Sequence, residues 1–350
     1  MGVARSPTLT RSSLTTLHQF DTVERVMDTA AWYCRFAEHE ALGSSPSYYR
    51  LATAVANSEH ALQFLSELPA NKRQPNLLFA SVRYLGGPTG TTEDFLDFAR
   101  ANSDQLRDVI AARSTQTNEV ARCGAFVPLL SDLDAVIALI EVGASAGLCL
   151  YPDRFAYSYD GRQLGESPLV ISVDSAGSVP MPDRLPTVGW RAGLDLNPLD
   201  VSDPDDLAWL RACVWPEHEE RLRRLDLAAT IVASDPPRID RGDLRTATLE
   251  LIDSAPPDTV KVVFHSAVLA YVDEESRQKF ASSMRNLLAH RDDVLWLSNE
   301  APGVIAGIPE SHRRSSQSGG SLQFRLGRNG TDLIAHTDPH GRWVDWEIKP

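Results

Sequence analysis

The stretch Ala135 to Leu150, AVIALIEVGASAGLCL, carries the densest chemical signal in the chain. An apolar run ends at the acid Glu141. Gly143 and Gly147 follow it, with Ser145 between them. A run this short fits a strand buried on both faces of a parallel sheet. The glycines let the backbone turn sharply and approach a ligand closely. A helix after such a turn would offer free N–H groups and its positive dipole end to an anion. Strand, acid, glycine turn and helix start are the parts of a nucleotide site. The same residues also read G-x-S-x-G, in which Ser145 would stand as a nucleophile on a tight strand–turn–helix elbow.

Further groups recur where strands end. Val188 to Leu194 reads as a strand closing at Asp195, and PRIDRGDL as one closing at Asp243. VKVVFHS closes at His265 and DVLWLSNE at Asn299 and Glu300. Carboxyl ends of parallel strands flank the ligand crevice at a switch point. A carboxylate accepts only, so Asp195 suits ribose hydroxyls and Asp243 an adenine amino group. Asp160 stands nearer the usual spacing for the ribose acid, but it belongs to an Asp-Gly turn that explains it, so Asp195 is preferred. An imidazole at His265 would serve as general base toward a hydroxyl or amine, or else bond backbone at a strand end. Tyr271 lies six residues on and would pack or line the pocket. Gln116, Asn118, Glu119 and Arg122 form a dense polar group just before the first strand. Read blandly it is a helix start capped by Ser114 or Thr115, with Glu119 and Arg122 paired on one face. Otherwise some of the four line a pocket. Trp215 reads as core rather than as an adenine stack, and Cys149 as helix packing. No cluster has metal-ligand spacing.

The elements around these residues fall into two parts. From about Leu17 to Leu130 the apolar spacing is helical, with Asp21 as a first cap, Gly43-Ser44-Ser45-Pro46 and Gly86-Gly87-Pro88 as breaks, and Pro75 as a helix start. Residues 1–130 are thus expected to form a helical domain, with 1–16 a disordered tail. Residues 131–350 alternate strand and helix. Phe155, Tyr157 and Tyr159 alternate before Asp160-Gly161, so a β-hairpin insertion is expected over about 151–186. Three late strands follow a polar loop, Pro309 to Gly320, expected to be mobile.

Composition narrows the classes. At 350 residues with 43% hydrophobic and 23% charged content, the chain matches a soluble globular protein. A net charge of −13 argues against non-specific nucleic-acid binding. No apolar run approaches the roughly 20 residues of a membrane span, and the first residues lack an apolar core for a signal peptide. Four cysteines without metal spacing suggest reduced thiols in the cytoplasm.

Read from Glu141, E-x-G-x-x-x-G resembles the first motif of class I S-adenosylmethionine-dependent methyltransferases. TQTNEVARC, LIEVGASAGLCL, RFAYSYDG, RAGLDLNPLDVSDPDDLAWLRACVWPE and VVFHSAVLAYV, in this order, resemble a bacterial domain-of-unknown-function family, number 2332. That resemblance runs from about Tyr48 to Glu300. It implies an α/β fold with a Rossmann-like, class I methyltransferase-type sheet, and leaves the reaction open. The expectation is a protein binding S-adenosylmethionine at Glu141, Gly143, Ser145, Gly147, Asp195 and Asp243. It would methylate a small molecule with His265, Tyr271 and Glu300 facing the substrate. Ser145, where such turns often carry glycine, keeps a non-catalytic nucleotide-binding or interaction module open. A serine hydrolase built on Ser145 is the third reading. It lacks the strands expected before an elbow.

Overall fold

The computed structural model describes residues 26–177, 180–309 and 323–347. The expected tail 1–16, the Asp21 cap and nearly all of the loop Pro309 to Gly320 lie outside them. The chain divides into two compact units. One runs to Thr117 and includes Ala208–Glu220; the other comprises Asn118–Leu207 and Arg221–Pro350.

The described part of the first unit is helical. Helix α1 covers residues 26–36 and continues as a π-helical turn, Ala37–Ala41. Helices α2 (Pro46–Ala56), α3 (Glu59–Ser66), α4 (Pro75–Tyr84), α5 (Thr92–Ala101) and α6 (Ser103–Ala112) follow. Their starts obey local chemistry. Ser45, Ser58 and Thr91 each accept a backbone N–H at the head of α2, α3 and α5, and proline opens α2 and α4. Tyr48, Leu51, Ala52 and Val55 recur on one face of α2 and are buried. Trp215 packs against Phe36, Tyr48 and His218 at ring distances of 5.7, 5.4 and 5.4 Å, as a core residue does.

The second unit is built on one open, mostly parallel sheet. After α7 (Cys123–Ser131) come β1 (Ile137–Val142), β2 (Ala156–Tyr159), β3 (Arg162–Leu164), β4 (Val170–Ala176) and β5 (Val188–Asp195). Helix α8 (Pro204–Cys213), which passes into the first unit at Ala208, and α9 (Glu219–Ala233), which is back in the second from Arg221, lead to β6 (Arg238–Arg241), α10 (Leu244–Asp253), β7 (Val260–Ser266), α11 (Glu274–Leu288) and β8 (Val294–Glu300). Strands β9 (Phe324–Arg328), β10 (Asp332–Thr337) and β11 (Trp343–Trp346) end it. The spatial order is β3-β2-β4-β11-β10-β9-β8-β7-β1-β5-β6. From β1 the chain adds β5 and β6 on one side, then crosses to add β7 and β8 on the other. The reversal makes β1 and β7 a switch point, where parallel strands open a crevice. Asp160 (φ 49°) and Gly161 (φ 87°) turn the expected hairpin. The three late strands expected from sequence form, but they do not end the sheet. Strand β11 pairs in parallel with β4, so the inserted segment extends the same sheet.

Strands β1 and β7 are buried throughout or nearly so. Ala138, Ile140, Val142, Val263 and Trp296 pack toward Phe280 and Met284 of α11 and Leu251 of α10. On the opposite face, Phe264 meets Phe126 of α7 at 5.3 Å.

Candidate functional site at the switch point

The glycine turn after β1 is tied to the end of β5. Gly143 (φ 74°) and Ala144 donate N–H bonds to Leu194 O at 2.7 and 3.1 Å. A side chain at Gly143 would strike Val268 at 2.5 Å. Ser145 takes φ 53°, rare for a residue with a side chain. Its N–H donates to Asp195 Oδ2 at 2.7 Å, while Asp195 Oδ1 accepts from Asn197 N–H at 2.7 Å. Asn118 clamps the turn from the other side. Its Nδ2 bonds Ser145 Oγ at 2.6 Å and its Oδ1 accepts from Ala146 N–H at 3.3 Å. Beside this turn lies a cleft of about 300 Å³, lined by Ala146, Leu199, Val201, Asp206, Pro237 and Ile239 among others.

One expected part is missing. After Gly147 the chain makes a three-residue 3-10 turn, Leu148–Leu150, and then enters β2 through a short loop. No α-helix starts there, so neither a helix dipole for an anion nor the helix of a nucleophile elbow stands behind the glycines. Gly147 (φ 69°) is required for another reason: a Cβ there would meet Ile239 at 2.8 Å and Pro237 at 2.9 Å.

Glu141 and His265 sit at neighbouring strand ends on opposite faces. Glu141 aligns with Phe264 of β7, and side chains alternate along a strand. Glu141 Oε2 is buried without a hydrogen-bond partner among the described residues. Burial pushes its carboxyl well above the ordinary value, Cys149 and Asp195 add to the rise, and Arg122 opposes it. His265 is fully buried on the α11 face, near Phe280. Trp296 Nε1 lies 3.1 Å from its Nε2, and Glu300 Oε1 lies 2.8 Å from its Nδ1. An indole N–H only donates, so Nε2 accepts and the ring hydrogen sits on Nδ1, directed to Glu300. Glu300 Oε1 also takes the N–H groups of Val268 and Leu269 at 3.0 and 3.1 Å. Both imidazole nitrogens are engaged, so the ring is a structural link and not a poised base. The expected single cleft holding Glu141, Asp195, Asp243, His265 and Glu300 is not formed.

The remaining residues find other partners. Asp243 lies beyond β6, caps α10 through Arg245 N–H at 2.9 Å, and pairs with the Arg245 side chain. Tyr271 is 83% exposed and packs into no core. Asp160 lies on a hairpin at the far edge of the sheet from β1 and accepts from Ser175 N–H. No helix follows Ser114; residues 113–119 have no regular structure. Glu119, buried, pairs with Arg221 at 2.7 Å and Arg224 at 3.1 Å, and accepts from Ala121 N–H. Arg122 instead donates to the carbonyls of Pro339 (2.8 Å) and Ser266 (3.2 Å). Gln116 belongs to the helical unit. Cys149, expected in a helix, lies in the 3-10 turn and points Sγ to Glu119 O at 3.7 Å. Sequence reasoning did not single out Asn197 or Trp296. A donor-only indole diagonally across neighbouring strands from a histidine is a signal visible only once the strands are paired. Among the described residues no group of His, Cys, Asp and Glu is arranged to hold a metal, and no helix is long and apolar enough to cross a membrane.

Residues 30–346 match the model of a protein family described as "Uncharacterized protein conserved in bacteria (DUF2332)", and the chain belongs to that family. A search of curated proteins finds no match.

Proposed function

We propose that the protein binds S-adenosylmethionine, or its demethylated product, at the turn Gly143–Gly147 and methylates a small molecule. The observation that carries this reading is Asp195. Its carboxylate stands at the end of β5, pinned by Ser145 and Asn197 N–H groups against the glycine turn. Each oxygen accepts one backbone bond and keeps a lone pair for a ribose hydroxyl. The adjoining cleft of about 300 Å³ offers apolar groups, Leu199, Val201 and Ile239 among them, for a planar base, beside the carboxylates Asp200 and Asp206. The parallel strand order β6-β5-β1-β7-β8 supports the reading, because it sets the turn after β1 at the switch point. Methyl transfer depends mainly on holding sulfonium and acceptor in line, so it can proceed without His265 as a base.

Calorimetry with S-adenosylmethionine and with S-adenosylhomocysteine tests the reading. Both bind the wild type, and Asp195→Ala weakens binding at least about tenfold, the loss of roughly 1.4 kcal/mol. Failure of a folded wild type to bind either compound would refute it. A second reading, a non-catalytic binding module, is favoured by the engaged nitrogens of His265. It expects binding without formation of S-adenosylhomocysteine when labelled cofactor is incubated with small-molecule extracts.

A further inference from the structure

On the α11 face of the sheet, three polar side chains of two neighbouring strands are buried and incompletely bonded. Ser298 and Glu300 lie on β8, 1% and 2% exposed; Arg325 lies on β9, 8% exposed. Glu300 and Arg325 stand directly opposite in an antiparallel pair, so both point to one face. Ser298, two residues before Glu300, shares that face. Glu300 turns toward β7, where its Oε1 gathers three donors, and its Oε2 has no partner among the described residues. Arg325 Nε and Ser298 Oγ are likewise unpartnered, and Arg325 forms no ion pair among the described residues. His336, opposite Arg325 on β10, is engaged by Gln323 at 3.3 Å and Glu347 at 3.0 Å.

A buried guanidinium nitrogen without an acceptor is costly, and so is a carboxylate oxygen without a donor. We propose that Arg325, Glu300 and Ser298 form a binding site for a small acid that also carries an amino or hydroxyl group: an α-amino or α-hydroxy acid. The guanidinium takes the carboxylate, for which its planar fork is shaped. Glu300 Oε2 takes the ammonium or hydroxyl, and Ser298 Oγ serves either end. Opposed side chains on paired strands stand about 5 Å apart at Cβ, which fits an acid and a donor on adjacent carbons. The site lies on the opposite face from Glu141 and does not depend on the cofactor reading.

Melting curves of the full-length chain with glycine, glycolate or acetate at equal millimolar concentration test the proposal. Glycine or glycolate raises the wild-type melting temperature by about 3 °C, and acetate does so clearly less. Arg325→Met removes the response and, without ligand, melts no lower than the wild type, because it deletes an unmatched charge. If Arg325→Met does not fold, Arg325→Lys keeps the charge but loses the fork, and its response falls below that of the wild type. Equal stabilisation by acetate, no response to glycine or glycolate, or a response undiminished in the Arg325 variants would overturn the proposal. A lower melting temperature for Arg325→Met in an unresponsive protein would overturn it too, by revealing a direct pair with Glu300.

Discussion

Glu119 and Glu141 are both buried glutamates in the same unit, and their surroundings are opposite. Glu119 gathers Arg221, Arg224 and the Ala121 N–H. Glu141 has an oxygen with no partner, and burial drives its carboxyl toward the protonated form. The contrast separates two uses of a buried acid. Ringed by donors, a carboxylate is a structural ion that ties elements together, here the segment before α7 to α9. Bare of donors at the end of a central strand, it is a group held against its solvation preference beside the glycine turn. Burial alone does not tell these apart; the donor count does.

Removing the satisfied acid carries the largest expected effect. Glu119→Gln leaves the Arg221 and Arg224 side chains, 17% and 14% exposed, without their carboxylate. Breaking a buried pair from one side costs about 3–5 kcal/mol. Urea unfolding at neutral pH measures it. A loss under about 1 kcal/mol would mean that groups other than Glu119 carry those guanidiniums.

Glu300 stands between the two extremes, with one oxygen saturated and one bare. Glu300→Ala strips an acceptor from Val268 N–H, Leu269 N–H and His265 Nδ1. At about 1 kcal/mol for each orphaned donor, the loss is about 3 kcal/mol. Hydrogen exchange localises it: the Val268 and Leu269 amides lose protection in the variant. Unchanged protection there would show that Glu300 does not hold this loop.

These pairings mark where sequence reading stops. The apolar run before Glu141, the Asp-Gly hairpin turn and the strand ending at Asp195 were legible, because period and turn chemistry are local. Twofold alternation also puts Phe264 and His265 on opposite faces. But that Glu141 aligns with Phe264, and so faces away from His265, is a matter of register between distant strands. The same limit hid the partners of Glu119, which lie about a hundred residues away on α9. The missing helix after Gly147 was the opposite failure. The glycine pattern is local and fits a helix start, yet the chain there goes on to build β2, next to the far edge strand of the sheet.

Replacing the unsatisfied acid is expected to have a smaller effect of opposite sign. A carboxyl whose folded pKa is raised keeps its proton in the folded state over a range where the unfolded chain has released it. Stability therefore falls as pH rises from the unfolded value near 4.5 toward the raised folded value. Glu141→Gln carries no such proton. Its stability relative to the wild type should rise across that window and level off above it. Paired urea titrations at several pH values read the difference. A difference that does not change with pH would mean that Glu141 is solvated and the contrast with Glu119 is false.

The smallest expected effect sharpens the comparison at the turn itself. Ser145 sits at φ 53°, where a side chain costs about 1–2 kcal/mol and glycine is relieved of most of it. Against that relief, Ser145→Gly gives up the hydroxyl bond with Asn118, worth about 1 kcal/mol. The two nearly cancel, so stability should stay within about 1 kcal/mol of the wild type. Binding of S-adenosylmethionine should stay within about tenfold. The Asp195 bond survives, because it is made by the Ser145 backbone N–H and not by the side chain. A hydrolase would behave otherwise, since its nucleophile is indispensable. Asn118, an amide bonded to this hydroxyl, cannot take up a proton as an imidazole does. A fluorophosphonate should therefore leave the wild type unlabelled. Stoichiometric labelling that disappears in Ser145→Ala would turn the strained serine from a turn residue into a nucleophile, and the proposed cofactor site into a hydrolase elbow.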